Sequence, residues 1–290
     1  MTKKQKLNAL VFIDTNIYLD FYRHRKSDIS LKYLDLFEKN KDKIITSSQV
    51  EMEFKKNRQV ALLESIGKLK GIDNSEFILP TILLQTKSAA IVNEKKKEIS
   101  KHQQILKAKI EKILKNPNFN DPVYKSLEKI FRNDSNINLN RDNELRFSIR
   151  ELAKKRFDLG YPPRKEKDTS YGDAINWEWI IYCAQNYAKD IIIVSRDSDY
   201  GVGYINEHIL NDWLNQEFKQ RVSRRRKIIL TDKLHSAFSY LSITVTKEMK
   251  KEEDIFVSET TINSSTIVSN SSVTMLGGTS LISKYIEEAD

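Results

Sequence analysis

With 290 residues, 31% charged side chains and a formal net charge of +9, the chain is long enough to bury a full core as one elaborated domain. No window approaches the roughly 18 consecutive apolar residues of a membrane span. The basic stretch of residues 1–8 leads into a short apolar run without a signal-peptide core, so the expected location is cytoplasmic. Cys183 is the single cysteine, and His24, His102, His208 and His235 lack zinc-ligand spacing. An internal disulfide and a thiolate zinc cluster are therefore excluded, and any metal is expected on oxygen ligands.

Charge is unevenly distributed. Residues 252–290 hold seven acidic residues and one lysine, a balance of −6, so residues 1–251 carry +15. A body this basic points to a polyanionic partner, although lysine-rich surfaces also serve solubility alone.

Along the chain, Leu10–Ile13 is an apolar run of β-formers that stops at Asp14, Thr15 and Asn16, the pattern of a buried parallel strand. Helical spacing follows over residues 30–40, then a second strand over 43–46. A helix opens at residues 47–54, where Ser48 and Glu51 fit a capping box. Residues from about 60 to 165 read as an α-helical insertion, broken at Pro80, Pro117 and Pro122. A loop over 160–170 precedes a strongly apolar helix from Gly172, with Ala174, Trp177, Ile181 and Ala184 as its buried stripe. Asp190–Ser195 is the clearest strand and ends against Asp197 and Asp199. Residues 204–245 hold at least one more helix, the basic run Arg224–Lys227 leading into Ile228–Leu230, and a last apolar patch. Alternation of apolar strands and helices predicts an α/β fold with a central parallel sheet, helices on both faces and a large α-helical insertion. The expected organisation is one domain over residues 1–250. An acidic Ser/Thr-rich tail over 251–290 is either disordered or folded on a partner or second copy.

In an open α/β sheet the functional crevice lies beyond the carboxyl ends of the strands. Asp14 and Asp197 follow two of them, and Glu53 and Asp173 lie near the starts of helices that open on the same edge. Each has a structural reading alone: a cap, a first-turn acid, a solvated helix residue, a turn. Together, several carboxylates at one point call for a divalent cation, and hard oxygen ligands select Mg²⁺ or Mn²⁺.

Four segments carry a family resemblance: residues 12–16 (Phe-Ile-Asp-Thr-Asn), residues 46–54, Gly172-Asp173-Ala174 after Pro162-Pro163, and residues 193–201 ending Asp-Ser-Asp-Tyr-Gly. Their order resembles that of PIN-like domains, specifically larger bacterial members with a helical insertion, over about residues 8–245. The resemblance implies a Rossmann-like sheet and a Mg²⁺- or Mn²⁺-dependent nuclease, commonly acting on RNA, with a toxin or phage-defence role. It maps an acidic quartet onto Asp14, Glu53, Asp173 and Asp197, with Asp199 as an accessory. Tyr200 departs from the family's frequent Phe.

On this reading the quartet is both catalytic and metal-binding, and Asn16 and Ser195 orient ligands or water behind it. Arg58 and Arg196 are expected on substrate phosphate, and Arg221, Arg224, Arg225, Arg226 and Lys227 extend the backbone-binding surface. The tail is expected to serve a regulatory protein or a homo-oligomer. Two alternatives stay open: a silent nucleic-acid-binding module of the same fold, and a flap-endonuclease-like DNA nuclease.

Overall fold

The computed structural model describes residues 6–23, 27–70, 79–163, 170–205 and 207–259. Its strands are β1 (Ala9–Ile13), β2 (Ile44–Ser47), β3 (Asn138–Leu139), β4 (Asp190–Val194), β5 (Gly201–Tyr204), β6 (Glu207–Leu210) and β7 (Ile228–Thr231). Five of them form one parallel sheet in the order β3-β2-β1-β4-β7, while β5 and β6 make a separate antiparallel ribbon. The central strands β1 and β4 are buried almost throughout, which explains their unbroken apolar sequence. Their pairing runs from Ala9 with Asp190 to Ile13 with Val194. The two strands thus end level, bringing residues 14 and 195 side by side.

The helices around the sheet are α1 (Thr15–Leu19), α2 (Lys32–Lys39), α3 (Ser48–Lys70), α4 (Lys87–Lys115), α5 (Pro117–Asn120), α6 (Pro122–Phe131), α7 (Leu145–Asp158), α8 (Gly172–Tyr187), α9 (Asp212–Arg221) and α10 (Leu234–Tyr240). A C-terminal helix covers residues 247–259. α8 is buried on nearly every side rather than along one stripe. It tolerates Glu178 in its interior because Arg156 and Arg221 bond that carboxylate at 2.8 and 2.7 Å. Cys183 is buried in this helix, and burial pushes its thiol well above the usual value. No described helix is long and apolar enough to cross a membrane.

Three expectations change. The stretch from 60 to 165 divides in two: the outer part of α3 and α4 project from the core, whereas α6 buries Val123, Leu127, Ile130 and Phe131 in it. β3 then adds an edge strand to β2. Second, the N-terminus of α3 is capped by Ser47, whose Oγ accepts from Val50 N at 3.2 Å. Glu51 bonds Lys55 instead of closing a capping box. Third, the boundary drawn at residue 251 falls inside the C-terminal helix, where Glu253 is buried; the rest of the tail, 260–290, lies outside the described residues.

Candidate functional site

Asp14 leaves β1 and caps α1, its Oδ1 accepting from Thr15 N at 2.7 Å. Because β1 and β4 end level, Asp14 N donates to Val194 O (2.9 Å) and Ser195 Oγ donates to Asp14 Oδ2 (2.6 Å). Asn16 Nδ2 donates to the same oxygen at 2.8 Å. Ser195 Oγ in turn accepts from Asp197 N at 3.1 Å, tying the turn after β4 to Asp14. Glu53 comes from the second turn of α3. Thr15 Oγ1 donates to its Oε2 (3.0 Å) and Gln49 Nε2 to its Oε1 (2.6 Å).

Asp173 enters on the first turn of α8, next to a glycine with a steric reason. A Cβ on Gly172 would collide with Glu53 Oε1 and stand 2.7 Å from Gln49 Nε2. Close approach of α8 to α3 therefore sets Asp173 beside Glu53. Both obstructing atoms end flexible side chains, so Gly172→Ala is expected to fold normally while displacing Glu53. On the function proposed below, kcat falls by about 10²-fold with an unchanged melting temperature; near-native turnover in this variant would remove Glu53 from the site.

Tyr200 lies buried beneath the acids, its ring 6.2 Å from that of Phe12. Burial, followed by the charges of Asp173, Asp14, Glu53 and Asp199, pushes its phenol well above the ordinary value. Separate segments of the chain thus direct carboxylates at one field. Burial pushes the Asp14 carboxyl up to about 7, the Ser195 hydrogen bond opposes this, and Asp197 and Glu53 add to the rise.

A carboxyl raised above its unfolded value stabilises the fold fully below the unfolded pKa, and that contribution is lost as pH rises through the folded one. For Asp14 the window runs from about pH 4 to pH 7, and the shift corresponds to roughly 4 kcal/mol. Stability in EDTA is expected to fall across that window. MnCl₂ should restore it at pH 7–8, as read by urea midpoints. A Mn²⁺ effect equal at pH 5 and pH 8 would contradict this origin.

The arginines are placed differently from the sequence expectation. Arg58 is only 3% exposed. Its Nε donates to Asp121 Oδ2 at 2.8 Å and to Tyr22 OH at 3.2 Å, and its Nη2 to Ile113 O at 2.8 Å. It ties α3 to the end of α4 and the cap of α6, which removes it from substrate phosphate. Arg196 is directed into an ion pair with buried Asp20, under the ring of Phe256 at 5.2 Å. Arg224, Arg225 and Arg226 precede β7, and Lys227 O accepts from Ile191 N at the start of β4. They therefore lie at the amino edge of the sheet, opposite the acids, because parallel strands point one way. Arg221 is taken up by Glu178 and Glu217. The sequence reading missed Thr15, Gln49 and Gly172. A polar residue one helical turn before Glu53 and a glycine beside Asp173 were the available signals.

Residues 11–200 match the model of the PIN domain. The chain belongs to the PIN domain family. This is a nuclease-type fold, and PIN domains are in general divalent-metal-dependent nucleases acting on nucleic acid. No curated protein and no solved structure gives a significant match. The matched segment contains all five acids and Tyr200, and it ends before α9, α10 and the C-terminal helix.

The donor set fits a hard divalent cation. The groups that bond Asp14 and Glu53 are neutral, and the Asp14 carboxyl is raised by burial first and then by the like charges of Asp197 and Glu53. Among the described residues no three candidate ligands are gathered at coordination distance.

Proposed function

We propose that this PIN domain is a Mg²⁺- or Mn²⁺-dependent endoribonuclease, hydrolysing phosphodiester bonds at the carboxyl edge of its sheet in a toxin or phage-defence role. What supports the reading is overlapping like charge: Asp173, Asp14, Glu53 and Asp199 all act on buried Tyr200, and Asp197 and Glu53 act on Asp14, whose carboxyl burial pushes up to about 7. Asp14 and Asp173 would hold the ion, Asp197 and Glu53 complete its surroundings, and Asp199 is the accessory. When bound, such an ion supplies an activated water and neutralises charge on the phosphate. Ser195 and Asn16 fix the orientation of Asp14, and Thr15 and Gln49 that of Glu53, so that neither carboxylate must reorganise.

A polyanionic substrate is supported by α4, which holds nine lysines against three glutamates. Arg58 joins its C-terminal end to the helix that carries Glu53. Lys97, Lys101 and Lys112 share one face by helical spacing and are exposed. Replacing all three with glutamine is expected to weaken binding of single-stranded RNA and to lower the slope of log K against log salt by about 0.7 for each phosphate no longer neutralised. An unchanged slope would place the RNA elsewhere.

The deciding assay is cleavage of end-labelled RNA and matched DNA in Mn²⁺, native chain against Asp14→Ala. Manganese-dependent RNA fragments from the native chain alone support the reading. RNA bound without cleavage favours a silent module, and DNA cleavage alone favours a flap-endonuclease-like enzyme. Growth arrest on expression, relieved by Asp14→Ala, tests the toxin role. We assign residues 260–290 to contact with a regulatory partner or second copy. Their deletion should change the solution mass or the activity without unfolding the domain, because the anchored helix 247–259 is retained.

A further inference from the structure

Arg196 stands between Ser195 and Asp197, so its Cα is about 3.8 Å from that of a proposed metal ligand. Its backbone N approaches Asn16 Oδ1 at 3.5 Å, and Asn16 bonds Asp14. A guanidinium carries five donors in a fork that matches carboxylates. The chain neighbours of Arg196 are thus Asp197 and the Ser195 that bonds Asp14, and a guanidinium directed at those carboxylates would supply the positive charge that a divalent ion otherwise brings.

In the structure the guanidinium is turned away. Asp20, one helical turn beyond Asn16, is 1% exposed and forms its ion pair. The ring of Phe256 lies against it at 5.2 Å; burial there pulls the guanidinium below its ordinary value, and the fields of Glu253 and Asp232 offset only part of that cost. Phe256 is held in place through Glu253, three residues before it on the C-terminal helix. Leu234 N and His235 N donate to Glu253 at 2.6 and 2.9 Å, which anchors that carboxylate on the N-terminus of α10. Tyr33 OH donates to it at 2.8 Å. Since the family match ends at residue 200, this holding device uses a part of the chain outside the shared domain.

We propose that Asp20 and the C-terminal helix, through Phe256, are positioning elements that withhold Arg196 from the carboxylates of Asp14 and Asp197, so that docking of this helix governs whether the site accepts a divalent cation. The inference rests on the metal site proposed above. Release of the helix lets Arg196 neutralise the acids in place of the metal, which makes residues 247–259 the natural point of control.

The test is Mn²⁺ binding to the full chain without nucleic acid, followed by the electron paramagnetic resonance of free Mn²⁺, with folding checked by circular dichroism. Asp20→Asn is expected to weaken binding about tenfold or more, and Phe256→Ala to shift it the same way. The double variant Asp20→Asn, Arg196→Gln is expected to return to within about threefold of native, because the competing cation is gone. A merely structural Asp20 would not be rescued by losing its partner. Native-like binding in both single variants, or no recovery in the double variant, overturns the inference while the metal reading stands. Absence of Mn²⁺ binding in the native chain overturns both. If Asp20→Asn fails to fold, Phe256→Ala and its pairing with Arg196→Gln give the same readout.

Discussion

Asp14→Ala and Asp173→Ala are each expected to lower RNA cleavage by on the order of 10³-fold, equivalent to about 4 kcal/mol of transition-state stabilisation, while both proteins stay folded. Neither side chain fills the core: Asp14 is packed among polar partners at a strand end, and Asp173 is half-buried on the first turn of α8. Asp14→Asn separates function from stability more sharply. It removes a buried charge that titrates near pH 7 and replaces one oxygen by a donor facing Asn16. In EDTA at pH 8 the variant is expected to be more stable than native by roughly 1–3 kcal/mol, after the missing Asn16 hydrogen bond is set against the relieved burial cost. Cleavage is lost in the same protein. Thermal melts and gel assays on one preparation check both, and retained Mn²⁺-dependent cleavage in Asp14→Ala and Asp173→Ala would end the mechanism.

Arg58→Ala is expected to produce the largest loss of stability, about 3–5 kcal/mol, because it strands the Asp121 carboxylate in the interior. Asp121 is 1% exposed and receives hydrogen bonds from Arg58 Nε and Tyr22 OH, both at 2.8 Å. Its other oxygen caps α6 through Tyr124 N at 3.0 Å. Unfolding is expected at a markedly lower urea midpoint. The double variant Arg58→Met, Asp121→Leu should recover part of the loss, since no buried charge is then left without its partner. A phosphate-binding arginine behaves oppositely, raising KM with the midpoint unchanged, so the urea titration alone distinguishes the two roles.

The parallel sheet, its helical surroundings and the family were legible because the signals are local. Leu10–Ile13 and Ile191–Val194 are continuous apolar runs that only a strand buried on both faces requires, and each is followed within four residues by an acid. β3 was not legible. It has two residues, one an asparagine whose side chain satisfies Phe131 O and Asn133 O, and it is a strand only because β2 offers an edge. The ribbon of β5 and β6 was hidden by its short strands, with Gly201 packed against Ile209 O and Leu230.

What the sequence by itself determined is the type of chemistry: oxygen ligands without a cysteine or histidine set, a basic body, and acids placed just after strands or at helix starts. Only the tertiary structure decided which charges meet. The level ends of β1 and β4 join Asp14 to Ser195, and the close approach at Gly172 brings Asp173 to Glu53. The arginines show the same limit from the other side, because Arg58 and Arg196 lie close in sequence to the acids but are directed into buried pairs with Asp121 and Asp20. Sequence distance measures how far a backbone can reach. Burial and the position of the opposite charge decide where a side chain goes, and those are properties of the packed molecule.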